Sequence, residues 1–255
     1  MGPWNVQSAG SNSMATSDPV SEKNRRFRWA VVAALKRELA PLRHCSSPHL
    51  LLIETGMGQL NADWVVRQLF NQKAVQAVIN IGLAGALSPA LQLGDLVIGE
   101  EVRSTSSFAP TPALLQAASQ VKLDGVRAHT GIIITQDEIL WRASDKRRLA
   151  LELPSGTVGC VDMESAAVAT VCDQHQIPFL AVRSISDRLD EDLPADFNRF
   201  RGRNGNLAIG KLLASSALHP ASLPGLVELR RRTRLCAEHL ARFVEQLVQT
   251  SIAGM

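Results

Sequence analysis

The sequence predicts a single α/β domain with a mixed central sheet flanked by helices. The length of 255 residues suits one large domain, and a composition of 45% hydrophobic and 20% charged residues can bury a core. Short apolar runs alternate along the chain with patterns of helical periodicity. Most of these runs are continuous, which is typical of strands that are covered on both faces.

Strands are predicted where several apolar residues follow one another between charged or turn-forming residues. Several of these runs are rich in Val and Ile, which favour strands. In chain order they are WAVVAAL (29–35), HLLLIET (49–55), AVQAVINIG (74–82), DLVIGEEV (95–102), TGIIIT (130–135), GTVGCVDM (156–163) and FLAVRSIS (179–186).

Helices are predicted where apolar residues recur at steps of three and four. They cover 61–72, 165–176 and 206–218, and a last long helix begins at about Pro224, with Ser222 as its candidate N-cap. Residues 1–24 are rich in Ser, Asn, Gly and Pro, which predicts a disordered tail. Residues 25–255 then form the domain.

Charge and cysteine spacing argue against several classes of protein. The net charge of +3 comes without a basic stripe interleaved with aromatic residues, so we expect no nucleic-acid partner. The four cysteines and six histidines show no metal-ligand spacing, so we expect no metal and no cofactor. The apolar run after the basic segment 23–28 stops at Lys36 without a cleavage site, so we expect a cytoplasmic protein.

Candidate functional residues lie at the ends of predicted strands, where α/β sheets bind ligands. TGMG and NIGLAGAL are glycine-rich turns that could either receive a ligand or simply be tight turns. Asp162 and Glu164 share one face of an extended strand, or they occupy the first turn of a helix. Asp187 suits a general acid, although it could instead cap a helix or pair with Arg188. The strand-exit segments are ALKRE (34–38), TGMG (55–58), NIGLAGAL (80–87), VDMES (161–165) and RSISD (183–187).

Together these motifs resemble the nucleoside phosphorylase and nucleosidase superfamily, in particular its methylthioadenosine/S-adenosylhomocysteine nucleosidase branch. The resemblance covers roughly residues 29–190 and is most specific at VDMES and RSISD. It implies a nucleoside phosphorylase-like fold, a small-molecule nucleoside as partner, and cleavage of the N-glycosidic bond of a 5′-substituted adenosine by water.

The resemblance also assigns roles to residues at these exits. It implies that Glu164 binds the ribose hydroxyls with Met163 packed on the sugar, and that Asp187 protonates the purine N7. Glu38 should position the attacking water. Arg183 should line the same pocket and completes the expected catalytic set, and the remaining substrate-binding residues are Gly85, Leu83, Ile139 and Ser186.

Two positions depart from the family pattern. Leu83 stands where many relatives have a serine or threonine, and a leucine side chain cannot donate to a phosphate oxygen. Glu38 would moreover repel phosphate, which favours hydrolysis over phosphorolysis. Ile139 replaces an aromatic residue that stacks on the purine, so we expect aliphatic and backbone contacts there.

The segment after Asp187 resembles a hopanoid-associated subgroup, so adenosylhopane is the specific substrate that we expect. The alternatives are a methylthioadenosine/S-adenosylhomocysteine nucleosidase, a phosphate-dependent phosphorylase, and a non-catalytic nucleoside-binding protein. The basic run 230–234 indicates either a peripheral contact with membrane lipid or a solvated helix face. The family resemblance also implies a homo-oligomer, for which the helix 61–72 with Trp64 could supply an interface.

Overall fold

In the computed structural model, the described residues are 7–8, 27–44, 50–73, 75–200 and 223–253. The predicted helix at 206–218 and the predicted N-cap Ser222 lie outside these ranges. So does the predicted tail, except for two residues that pair with a strand of the sheet.

The strands agree closely with the apolar runs of the sequence, although their ends differ by a few residues. Continuous burial along several of them explains why the runs show no alternation. The strands of the described residues are β1 Gln7–Ser8, β2 Phe27–Ala33, β3 Leu50–Glu54, β4 Val75–Ala86, β5 Leu96–Arg103, β6 Ser107–Phe108, β7 Ala128–Thr135, β8 Gly159–Asp162 and β9 Phe179–Asp187.

The helices include three that the sequence patterns did not predict, α1, α3 and α4. The long last helix is present and begins at Leu223, one residue before the predicted start. The described helices are α1 Lys36–Leu39, α2 Gln59–Gln72, α3 Pro112–Gln120, α4 Ala143–Ala150, α5 Ser165–Gln174 and α6 Leu223–Ala253, with 3₁₀ turns at Pro41–His44 and Phe197–Phe200.

The sheet is mixed, and its middle closes on itself. Strands β3, β2, β4 and β9 run parallel to one another, whereas β4 pairs with β8 and β9 pairs with β5 in the antiparallel sense. Because β5 also pairs with β7, and β7 with β8, the strands β4, β9, β5, β7 and β8 form a closed ring. The predicted fold class, one α/β domain with a mixed sheet, is confirmed.

Helices cover both faces of the sheet. On one face, α2 and α5 pack through residues such as Val66, Leu69 and Val168. On the other face, α3 and α6 pack through Leu114 and Phe243 among others. None of the helices in the described ranges combines the length and the apolar character that crossing a membrane requires.

The basic run of α6 is largely neutralised by glutamates. Arg231 pairs with Glu228 at 2.7 Å, and Arg232 pairs with Glu191 at 2.6 Å. Arg234 pairs with Glu238 at 3.0 Å. This pairing favours a solvated helix face, and the membrane contact stays a prediction. The homo-oligomer also stays a prediction, although Trp64 of α2 is 54% exposed.

At Gly131 the backbone of the closed ring packs so closely on a neighbouring segment that there is no room for a side chain. A Cβ added to Gly131 of β7 would lie 2.4 Å from the carbonyl oxygen of Val158, just before β8. We expect Gly131→Ala to lower the free energy of unfolding by about 1–3 kcal/mol, because backbone must move to relieve the clash. Urea denaturation measures this difference, and an unchanged midpoint would contradict the close packing of β7 on the residues before β8.

Candidate active site

One cavity collects most of the residues that the sequence singled out. It lies at the carboxyl ends of β2, β4 and β9. The last residue of β8, which runs antiparallel to β4, also lies there. The predicted site residues that line it are Glu38, Leu83, Gly85, Ile139, Met163, Glu164, Ser186 and Asp187.

Glu38 is held by two backbone N–H groups. Its Oε2 accepts a hydrogen bond of 2.8 Å from Leu35 N, the residue before helix α1, and its Oε1 accepts one of 3.2 Å from Leu83 N. Leu83 therefore serves the site through its backbone, and its side chain lines the wall. Burial raises the pKa of Glu38, although the two N–H donors and Arg183 oppose this rise.

Glu164 is held by the glycine-rich turn before α2. Its Oε1 accepts a hydrogen bond of 2.7 Å from Gly58 N. Gly58 has a φ of 91°, which a residue with a side chain rarely adopts, so the TGMG turn presents this N–H by virtue of its glycine. Burial, followed by the nearby charge of Asp162, raises the pKa of Glu164 to about 8. Met163 is buried beside it in the cavity wall.

Each carboxyl oxygen of Asp187 accepts a hydrogen bond. Ser186 Oγ donates to Oδ1 at 2.8 Å, and Lys146 Nζ donates to Oδ2 at 2.5 Å. Gly85 makes room for this arrangement, since a Cβ there would lie 3.1 Å from Asp187 Oδ2. Burial raises the pKa of Asp187, and Lys146 and Ser186 oppose the rise.

Arg183 does not line the cavity and lies beneath its floor, 1% exposed. Its Nε and Nη2 donate to Asp162 Oδ2 at 2.9 and 2.7 Å. Its Nη1 donates to the carbonyl of Asn80 at 3.0 Å, and Nη2 also donates to the Asn80 side chain. The guanidinium is therefore saturated by protein groups, and it acts on the cavity through the strands that it joins and through its charge, which opposes the rise in the pKa of Glu38 and of Glu164.

Asp162 links this ion pair to the start of helix α5. Its Oδ2 accepts a hydrogen bond of 2.9 Å from Ser165 N, and its Oδ1 accepts one of 2.7 Å from Thr135 Oγ1. An acid that accepts backbone N–H groups in the first turn stabilises a helix start. Asp162 thus fixes the strand-to-helix switch that points Glu164 into the cavity.

One side of the cavity is closed by two segments, the loop between β7 and α4 and the segment after β9. Hydrogen bonds join these two segments. Asn198 accepts from Ile139 N at 2.9 Å and donates to Ile139 O at 3.0 Å. Leu193 N donates to Trp141 O at 2.8 Å. The predicted contact residue Ile139 is thereby held in place, and Phe197 lines the same cavity.

Sequence reasoning missed several residues of the site. Lys146 has a signal in the spacing, because the buried residues Ala143, Lys146 and Leu149 recur every three positions on α4. Phe197 follows Asp187 by ten residues within an irregular segment, which gives no periodic signal. The missed lining residues include Met57, Leu140, Leu193, Phe197, Leu229 and Thr233.

Chemically, the cavity presents the carboxyl groups of Glu38, Glu164 and Asp187 against mainly apolar walls, and Asp162 and Glu138 also line it. Burial raises the pKa of Glu38 and of Asp187, and it raises that of Glu164 to about 8, a direction that suits groups engaged in acid–base catalysis. The carboxyls of Glu38, Glu164 and Asp187 are each oriented by hydrogen bonds from protein groups. The cavity is therefore suited to acid–base cleavage of a bond in a ligand, with the apolar parts of that ligand packed against the apolar walls.

Comparisons with known proteins agree with this chemistry. Residues 44–216 match the model of the phosphorylase superfamily. A 5′-methylthioadenosine/S-adenosylhomocysteine nucleosidase of Shewanella oneidensis is 31% identical over 195 residues, which cover 68% of this chain and 82% of that protein.

Solved structures share the fold. The nucleosidase of Neisseria meningitidis in complex with methylthio-immucillin-A superposes with a TM-score of 0.67 at 21% identity, covering 88% of this chain and 99% of that one. The futalosine hydrolase of Helicobacter pylori also gives 0.67, at 17% identity, covering 88% and 98%. At these identities the likeness concerns the fold alone.

The fold, the cavity and the relatives define an enzyme that hydrolyses N-glycosidic bonds. The chain belongs to the phosphorylase superfamily, and its activity is of the nucleosidase type.

The buried ion pair gives a stability prediction. Arg183→Met leaves Asp162 buried without its partner, so we expect the free energy of unfolding to fall by about 3–5 kcal/mol. Arg148→Met, which breaks an ion pair whose arginine is exposed, is the matched control and should change little. Urea denaturation compares the two, and equal effects would mean that the Arg183 pair does not hold the cavity floor.

The raised pKa of Glu164 predicts a pH-dependent stability. Because the folded-state pKa is about 8 against an ordinary 4.5, the stabilisation from the protonated group is complete below pH 4.5 and is lost as pH rises through 8. Glu164→Gln keeps an acceptor for Gly58 but does not ionise. We therefore expect the stability of the wild type relative to Glu164→Gln to fall between about pH 6 and about pH 9.

Chemical denaturation at both pH values measures this difference. Glu100→Gln, at an exposed position of β5, serves as the control and should show no such trend. A constant difference between the wild type and Glu164→Gln would show that Glu164 stays ionised throughout.

Proposed function

We propose that the protein hydrolyses 5′-methylthioadenosine and S-adenosylhomocysteine to release adenine. The observation that supports this most strongly is the meeting of Glu38, Glu164 and Asp187 at one cavity in a chain of this family. The relatives favour this substrate class over adenosylhopane, because the curated relative named above is a nucleosidase of this specificity.

Each carboxyl receives one role in the proposed reaction. Asp187 protonates N7 of the departing purine, and Glu164 accepts hydrogen bonds from the ribose hydroxyls. Glu38 orients the water that attacks C1′. The ribosyl centre develops positive charge as the purine leaves, and carboxylates nearby stabilise that charge electrostatically.

Water is the proposed nucleophile because the residues around Glu38 suit an anion poorly. The Leu83 N–H is already used by Glu38, and the guanidinium of Arg183 is bonded to Asp162 and Asn80. A phosphate ion beside a buried carboxylate would moreover be repelled. Arg37 also lines the cavity, and it is the cation that a phosphorylase could use to bind phosphate here.

The apolar wall supports an apolar 5′ substituent. Leu193 and Phe197 of the loop after β9 contribute to it, and so does Leu229 of α6. This wall, together with the resemblance of the segment after Asp187 to a hopanoid-associated subgroup, makes adenosylhopane the second candidate.

One assay separates these possibilities. The protein is incubated with 5′-methylthioadenosine, S-adenosylhomocysteine, adenosine and an adenosylhopane analogue, with and without phosphate, and free adenine is measured. We expect adenine from the first two without phosphate. A strict requirement for phosphate would overturn hydrolysis, release from the hopane analogue alone would overturn the substrate assignment, and binding without any adenine would indicate a nucleoside-binding protein.

The acid role of Asp187 gives a direct prediction. Asp187→Asn keeps the size of the side chain but has no acidic proton, so kcat should fall by about 10²–10⁴ while substrate still binds. Steady-state kinetics of adenine release measure kcat and KM. Asp173→Asn, at an exposed position of α5 far from the cavity lining, is the control, and an unchanged kcat in Asp187→Asn would remove the acid from the mechanism.

A further inference from the structure

A lysine is completely buried behind the proposed acid. Lys146 of α4 is 0% exposed, and its Nζ donates to Asp187 Oδ2 and to the carbonyl of Arg188. It does not belong to the cavity lining, whereas Asp187, whose carboxyl it contacts, does. A buried ammonium is costly unless it is paired, and lysines are rarely buried for packing alone.

The surrounding backbone is arranged around this pair. The start of α4 is tied to the loop after β9, because Ala143 N donates to Asp192 Oδ1 at 2.7 Å. A Cβ on Gly85 would lie 3.3 Å from Lys146 Cδ and 3.1 Å from Asp187 Oδ2. Gly85 of β4 therefore leaves the space in which lysine and carboxyl meet.

The ammonium of Lys146 affects how Asp187 can act as a general acid. A general acid must hold a proton, yet a bonded cation favours the ionised form of the carboxyl. The proton is not lost to the site, however, because it resides one hydrogen bond away on Nζ.

We propose that Lys146 is a positioning residue that acts through Asp187: it orients the carboxyl and holds the proton that Asp187 delivers to purine N7. This inference rests on the proposed function. In the resting enzyme one exchangeable proton lies in the hydrogen bond between the Lys146 nitrogen and the Asp187 carboxyl.

The proposed step conserves protons and electrons. As the bond between C1′ and N9 breaks, its electron pair goes to the purine, and one proton passes from Nζ to the carboxyl of Asp187 and from that carboxyl to N7. Water adds to C1′ and releases a proton to Glu38. Lys146 is then a neutral amine beside a carboxylate, and solvent restores its proton and removes the one on Glu38 after adenine leaves.

Other charged groups face the pair from the neighbouring elements. Glu191, in the loop after β9, is paired with Arg232 of α6. Asp162 is paired with Arg183, and the carboxyls of Glu164 and Glu38 lie across the cavity. Within the described residues, Lys146 is the cation that bonds directly to Asp187.

The first test uses the unmodified protein. The pH dependence of kcat for adenine release from 5′-methylthioadenosine is measured at several temperatures. Amine ionisation absorbs much heat and carboxyl ionisation very little, so the basic limb should move to lower pH on warming if Lys146 holds the proton. A basic limb that does not move with temperature would overturn the proposal.

Two variants give an independent test. Lys146→Arg keeps a cation that does not release its proton, and Lys146→Met removes the cation. We expect both to lose kcat by at least about 10²-fold, the lower range for acid catalysis, with KM changed far less. A near-normal kcat in Lys146→Arg would overturn the proton-holding role. Lys122→Met, at an exposed position, is the control and should keep full activity.

The outcomes also separate this inference from the proposed function. Absence of adenine from every nucleoside with the wild type would overturn the proposed function and this inference with it. Adenine release with a temperature-independent basic limb would overturn the role of Lys146 and leave the proposed function standing. If a variant does not fold, as judged by thermal unfolding, the experiment with the wild type still decides.

Discussion

The site depends on one buried ion pair, between Arg183 of β9 and Asp162 of β8. The guanidinium also bonds the backbone and side chain of Asn80 in β4, so three strands of the closed ring meet at one charge. Two charges at this depth are favourable only when their hydrogen bonds are satisfied, and here they are. The pair therefore fixes where β8 ends and α5 begins, which directs Glu164 toward the cavity, and it holds β9 beside them.

Burial of acidic groups is the second constraint, and it follows from the first. Because the ends of β2, β8 and β9 converge, Glu38, Glu164 and Asp187 share one small and mainly apolar space. Their pKa values rise as a result, which costs stability when they ionise but makes proton transfer near neutral pH accessible. Each acid has at least one fixed donor, so the carboxyls are oriented before a substrate arrives.

The sequence was sufficient for the fold class and for most of the cavity lining. Continuous apolar runs revealed strands covered on both faces, and their polar ends located Glu38, Glu164 and Asp187. It could not reveal the helix α4, because half of its residues are charged and only Ala143, Lys146 and Leu149 are buried. The partners of Arg183 were equally hidden, since Asn80 lies 103 positions away and meets it only through the pairing of β4 with β9.

The central claim is that these acids surround a purine nucleoside, and a crystal structure of Asp187→Asn with bound 5′-methylthioadenosine tests it most directly. We predict that the purine N7 lies within hydrogen-bond distance of the substituted side chain, that the ribose hydroxyls contact Glu164, and that C1′ faces Glu38. A nucleoside bound away from these groups, or with its purine turned away from residue 187, would contradict the account.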